Sequence, residues 1–228
     1  MGNYGGNLQK IYDGVRKFAI TPHIPGGFIS ADQLIKIAEV AKKYNGILKL
    51  TTGQRIMITN LDEVDLPGIW DELAMEPAVK SNYSVKTIEI CPAGFCKRHK
   101  YNTMPLGNVL LKEYHGKDMP NRTKIGVAGC RNACGSVNVR DVGLIADVDG
   151  FTVVAGGSGG FNPRLADRIG EGLSPEAAMD LLRKTLEYYR KEGEFGEKMS
   201  DFIERIGLEV FKAGVLRFDL ADSLPAKS

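Results

Sequence analysis

The placement of four cysteines constrains this chain more than any other feature. They fall into two short pairs, Cys91 with Cys96 and Cys130 with Cys134, and no cysteine is left over. If the thiols act together, two distant stretches of backbone must meet. Four thiolates are the ligand set of a cubane [4Fe–4S] cluster. They also suit structural zinc, although zinc pairs are usually C-x(2–4)-C and both spacings here lie at or near the wide end of that range. Nothing in the sequence points to the oxidising compartment that a disulfide needs. Unliganded cysteines would pack as small hydrophobes. On the cysteines alone these readings stay open.

Neighbouring charge shifts the balance. Cys96 is followed by Lys97, Arg98, His99 and Lys100; Arg122 and Lys124 precede the second pair, and Arg131 lies inside it. A positive environment stabilises thiolates and an anionic cofactor. A solvated basic face is the bland alternative, but such faces rarely centre on a cysteine motif. Glycine is abundant, with 27 residues, and clusters from Gly126 through Gly129, Gly135 and Gly143 to Gly156, Gly157, Gly159 and Gly160. Glycines let backbone approach a bulky ligand closely, and they also mark the turns of an ordinary loop-rich α/β fold.

The 228 residues suffice for one large domain or two small ones, and 43% hydrophobic with 25% charged residues is ordinary for a globular protein. A net charge of +2 excludes strong global attraction to nucleic acid or membrane. No apolar run is long enough to span a bilayer. The first residues lack a basic stretch followed by an apolar one, and Gly6 stands where myristoylation needs Ser or Thr. The expected compartment is the cytoplasm.

Local patterns divide the chain. Ser30 with Gln33 has the form of a capping box, and Leu34, Ile37, Ala38 and Ala41 follow at helical spacing up to Asn45-Gly46. Residues 47–52 and 55–59 read as strands about a Gly53-Gln54 turn. A short helix is expected at 66–73 and a strand at 85–90. Beyond the first cysteine pair, residues 109–113 suggest a helix and 124–127 a short strand. Residues 139–148 and 151–155 flank Asp149-Gly150 as a hairpin. Ser174-Pro175 opens a helix to about Lys191, and a last helix covers about 198–212. With no low-complexity linker, the two parts are expected to pack together.

Residues 124–135, with Gly129-Cys130-Arg131-Asn132-Ala133-Cys134-Gly135 at their end, resemble the signature of siroheme-dependent sulfite and nitrite reductases. Residues 141–146 resemble the strand that follows it in that family. Gly156-Gly157-Ser158-Gly159-Gly160 running into Pro163-Arg164-Leu165-Ala166 is similar to its glycine-rich segment. Pro25-Gly26-Gly27, a helix, and then residues 50–56 are similar to its ferredoxin-like half-domain, and Gly53-Gln54-Arg55-Ile56 is closest to the NADH-dependent nitrite reductase branch. The resemblance spans about residues 20–215. Two departures stand out: the first pair is C-x4-C where the family has C-x5-C, and Gly53 stands where many members have Arg. The chain has one of the two pseudo-repeats of large members, like compact single-repeat forms, and a homodimer could supply the other.

The resemblance implies an α+β fold. A ferredoxin-like half-domain (residues 10–85) would pack on a mixed α/β siroheme and iron–sulfur domain (86–215), followed by a C-terminal tail (216–228). It implies reduction of a small oxyanion by six electrons, sulfite to sulfide or nitrite to ammonia. A [4Fe–4S] cluster and siroheme would share a thiolate, because no side chain performs this chemistry. Cys91, Cys96, Cys130 and Cys134 become the cluster ligands, with Cys134 bridging to siroheme. The substrate and the siroheme carboxylates call for cations. The candidates are Arg55, Arg98, Lys100, Arg122 and Lys124 for catalysis. Gln54, Arg131, Asn132, Gly156, Gly157, Gly159, Gly160 and His23 are the candidates for siroheme. No nicotinamide or flavin fingerprint is present, so an external donor, such as a ferredoxin or a partner subunit, is expected. Two rival readings are an electron carrier with the cluster alone and a zinc-stapled binding module.

Overall fold

The computed structural model describes residues 6–223. Residues 1–5, which carry the export expectation, and residues 224–228 of the expected tail lie outside the described residues. The chain forms two compact units, Met1–Lys80 and Ser81–Ser228.

The first unit is an antiparallel sheet with two helices. Strands β1 (Asn7–Tyr12), β2 (Val15–Ile20), β3 (Ile47–Thr51) and β4 (Arg55–Leu61) are ordered β1-β2-β4-β3, with helices α1 (Ala31–Lys43) and α2 (Leu66–Leu73). The capping box forms as expected: the Gln33 N–H donates to Ser30 Oγ at 3.2 Å, and Gln33 Oε1 accepts from the Ser30 N–H at 3.2 Å. Ile20, Ile37, Ile58 and Ile69, all fully buried, centre the core. Hydrophobic alternation does not announce β1 and β2. They pair because Asp13 and Gly14, at φ 50° and 76°, make the two-residue turn whose twist suits a hairpin.

The second unit has a five-stranded mixed sheet. Strands β5 (Val85–Ile90), β6 (Thr123–Ala128) and β7 (Val142–Asp147) run parallel, and β8 (Gly150–Ala155) and β9 (Asp167–Leu173) continue antiparallel in the order β5-β6-β7-β8-β9. Helices α3 (Met104–Tyr114), α4 (Pro175–Glu192), α5 (Met199–Ile206) and α6 (Leu208–Arg217) share one core with the sheet, in which Leu110, Ile125, Leu144, Leu186 and Phe211 are fully buried. The other face of β6–β8 is covered by Ala133 and Val137 from the segment after Cys130.

Several details depart from expectation. The strand at 85–90 lies in the second unit, because its hydrogen-bonded partner is β6. Helix α3 is longer than expected, with a proline in its first turn. The single last helix is two, broken at Gly207 with φ 86°. Strand β9, glycine-bearing and charged, has no strand pattern of its own and exists through pairing with β8. Arg217 closes α6, and Leu220–Ser223 form a 3-10 turn. Among the described residues no helix is long and apolar enough to cross a membrane.

Candidate functional site

The cysteines meet because β5 and β6 are parallel neighbours. Ile90 pairs with Val127, so the C-terminal ends of the two strands lie side by side. Cys91 follows β5 directly, and its N–H donates to the Val127 carbonyl at 2.9 Å. Cys130 follows β6 after Gly129. That glycine has no room for a side chain: a Cβ would stand 2.5 Å from Ala93 Cβ. Its carbonyl accepts the Lys100 N–H at 2.7 Å. The two cysteine loops are therefore interlocked through Gly129. A 3-10 turn at Ala93–Phe95 folds Cys96 back, and Ala133, in the left-handed region at φ 43°, turns the chain into Cys134. Cys91, Cys96 and Cys130 are half-buried and Cys134 is exposed. Sites at the C-terminal ends of parallel strands are common because the loops there converge.

Burial pushes the Cys91 thiol up. The Gly129 N–H, donating to it, opposes that shift, and the charges of Cys130, Cys96 and Cys134 add to it. All three other cysteines are thus electrostatic neighbours of Cys91. Free thiolates would repel one another here, and a cationic group between them removes the repulsion. Among the described residues no three His, Cys, Asp or Glu side chains close on a point that would hold a single ion. The thiols form an open set.

The glycine-rich segment splits into two kinds of position. Gly156 has φ 79°, and at Gly157 a Cβ would lie 2.5 Å from the Arg140 carbonyl oxygen, so packing demands both glycines. Gly159 and Gly160 are exposed, with ordinary or open space where a side chain would go. Ser158 and Arg164 pair across the loop, whose tip, Phe161, is fully exposed. Arg164 latches it by donating to the Gly156 carbonyl at 2.7 Å and pairing with Asp167.

Arg98 and Lys100 are exposed on the loop between the cysteine pairs, and Asn132 is exposed between Cys130 and Cys134. Arg131 is exposed, pairs with Asp147 and lines a cavity of about 280 Å3 with Asn138, Thr152 and Arg168. In the first unit, Gln54 and Arg55 line a separate cavity of about 290 Å3 with Gly27, Ile29, Leu34 and Leu50. Gln54 sits at φ 56°, and among the described residues its buried Oε1 has no hydrogen-bond partner. His23 is half-buried, its backbone N–H donating to the Glu76 carbonyl at 2.8 Å.

Arg122 and Lys124 lie away from the cysteine loops along their own strand. They stand at the start of β6, whereas Cys130 follows its end, roughly 20 Å of extended strand away. The fold does not bring them to the cysteines of their own chain. Lys124 instead helps to fix the start of β6, its N–H donating to Asp141 Oδ2 at 2.8 Å. Asp141 escaped the sequence reading, as did Glu89 and Arg140. Arg140 donates through Nε and Nη2 to Glu89 Oε2 at 2.9 and 2.6 Å. The available signal for this pair was an acid inside the apolar run of β5.

Two cysteine pairs on the loops that follow the adjacent ends of β5 and β6 make the second unit a candidate iron–sulfur module. Residues 82–220 match the Nitrite and sulphite reductase 4Fe-4S domain, and residues 13–76 match the Nitrite/Sulfite reductase ferredoxin-like half domain. An assimilatory-type sulfite reductase of Nitratidesulfovibrio vulgaris is 32% identical over 87% of this chain and 92% of that protein. An NAD(P)H nitrite reductase of Bacillus subtilis is 30% identical over 89% of this chain and 25% of that protein. The solved structure of the Mycobacterium tuberculosis NirA protein shares the fold, with a TM-score of 0.77 and 17% identity, over 94% of this chain and 45% of that one. The chain belongs to the nitrite and sulphite reductase family. Its cofactors are accordingly a [4Fe–4S] cluster and siroheme. The residues of the second unit fit both: four thiols on neighbouring loops suit the cluster, and the open glycines 159 and 160 leave room for a large ligand.

Proposed function

We propose that this chain reduces sulfite to sulfide by six electrons, with nitrite to ammonia as the second choice of substrate. The observation that carries the reading is the convergence of Cys96, Cys130 and Cys134 on Cys91 at the ends of β5 and β6. The sulfite reductase relative, 32% identical, supports sulfite as the first choice, and the nitrite reductase relative, 30% identical, supports nitrite as the second. When bound, siroheme coupled to the cluster supplies the stepwise electron delivery that side chains cannot.

The chain's own residues do the rest. Cys91, Cys96 and Cys130 hold the cluster. Cys134, the exposed thiol, would hold the cluster on the side open to siroheme. Arg98 and Lys100, exposed beside Cys96, attract the oxyanion and offset the charge that develops as its oxygens leave as water. Asn132, Arg131, Gly159 and Gly160 in the second unit and Gln54 and His23 in the first serve the tetrapyrrole, and Arg55 is a further cation for the oxyanion. Gly156 and Gly157 shape the backbone that carries the open glycines. Electrons come from an external carrier, such as a ferredoxin or a partner subunit, and the protein works in the cytoplasm.

The test is anaerobic purification followed by iron and acid-labile sulfide analysis, a visible spectrum, and turnover of each anion with a reduced dye. The expected result is about five irons per chain, four in the cluster and one in the siroheme, with about four acid-labile sulfides, tetrapyrrole absorption and faster turnover of sulfite. Colourless protein with one zinc per chain, or a cluster without tetrapyrrole, defeats the reading.

A further inference from the structure

On β5, Glu89 is 3% exposed, and its neighbours Ile88 and Ile90 face the helical core. Alternation turns Glu89 to the opposite face of the sheet. Across that face the register continues from Glu89 to Gly126 of β6 and Gly143 of β7. The two glycines leave a trough. Val137, from the segment descending from Cys134, fills it: a Cβ on Gly143 would collide with Val137 Cγ1, and one on Gly126 would stand 3.0 Å from Val137 Cγ2 and 3.2 Å from Arg140 Cγ. The Arg140 stem thus crosses β6 over Gly126, and its guanidinium reaches Glu89 on the next strand. Its side chain is 12% exposed. Its backbone also abuts Gly157, where a Cβ would lie 2.5 Å from the Arg140 oxygen.

Arg140 is therefore where three segments of the site meet: the strand that ends in Cys91 two residues beyond Glu89, the segment that leaves Cys134, and the start of the glycine-rich loop. We propose that the buried Glu89–Arg140 pair is a positioning device for the cluster, setting the spacing between the Cys91 strand end and the Cys130–Cys134 loop. Neither side chain is a ligand. The pair clamps the sequence-distant thiols into one set before metal arrives, much as outer partners orient the first ligands of a metal site. Two guanidinium N–H groups converging on one carboxylate oxygen, Glu89 Oε2, fix distance and angle, which a nonpolar contact at the same place does not.

The inference rests on the cluster reading of the four cysteines, and the experiment separates the two. Replacing a buried ion pair by apolar residues of similar volume is often neutral for stability. The double variant Glu89→Leu/Arg140→Met is thus expected to melt within a few degrees of the native protein. Its reconstituted cluster is expected to release iron to a chelator about tenfold faster, the lower end of the effect of outer-shell partners, and to give an altered EPR spectrum when reduced. Arg140→Lys, which keeps the charge and loses the fork, is expected to fall between the two. A double variant, or an Arg140→Lys protein, that folds and matches the native chelator resistance and EPR spectrum overturns the proposal. If the double variant does not fold, the Arg140→Lys comparison decides it. Native protein that takes up no cluster overturns the reading beneath it instead.

Discussion

At the scale of single residues, chemistry and support separate cleanly. Cys134 is the exposed thiol of the set, so Cys134→Ser is expected to abolish turnover and the electronic coupling between cluster and tetrapyrrole. EPR of the reduced protein checks the second effect, and full turnover would remove Cys134 from the shared position. Arg98→Ala is expected to raise KM for the anion several-fold, about the effect of losing one charge-assisted contact. Lys124→Ala, at the far end of β6, is expected to leave KM unchanged; steady-state assays of the two compare them directly. Asp141 gives a pH signature. Desolvation raises its carboxyl to about 6, chiefly against the opposing Lys124 N–H. A pKa raised above the unfolded value contributes stability that is present at low pH and lost as pH climbs through the folded value. Between about pH 4 and pH 6 the native protein should lose at most about 3 kcal/mol that Asp141→Asn does not lose. Parallel melting curves would refute this if the two profiles coincide. Asp141 as a residue keeps some exposure while its carboxyl group is enclosed, which makes that figure an upper bound.

At the scale of elements, the glycine-rich segment shows that one composition can meet two demands. Gly157→Ala drives a Cβ into the Arg140 backbone, which cannot retreat as a flexible side chain would. It should lower stability by about 1–3 kcal/mol, as overpacking does, visible as a reduced Tm of the apoprotein. Gly159→Ala meets nothing closer than 3.5 Å and should leave that Tm unchanged. If Gly159 lines the tetrapyrrole, the same variant should take up less of it, measured by visible absorption per chain. Equal uptake would return Gly159 to the role of a plain loop residue. The parallel pairing of β5 with β6 has the same double character. It is an ordinary ladder in the core, and its ends deliver Cys91 and the loop of Cys130 to one place.

At the scale of the whole molecule, the two units answer different parts of the family pattern. The first, through residues 13–76, is the ferredoxin-like half domain, and the second, through residues 82–220, is the iron–sulfur domain. As the substrate proposed first, sulfite should exceed nitrite in kcat/KM when both are assayed with one reduced dye. A clear preference for nitrite would reverse the order of the two proposed substrates.

The family was legible in the sequence, because the motif around Asn132 is a local property. The capping box at Ser30 and the Asp149-Gly150 hairpin were legible for the same reason. The membership of β5, the existence of β9 and the break at Gly207 were not, since each depends on a partner strand or a packing surface distant in sequence. So do the separation of Lys124 from Cys130 and the reach of Arg140 to Glu89. A strand carries a basic residue to one end or the other of a sheet by its direction, and an arginine finds a buried acid only after two intervening glycines have opened the way. Those are properties of assembled backbone, and the tertiary structure alone decides them.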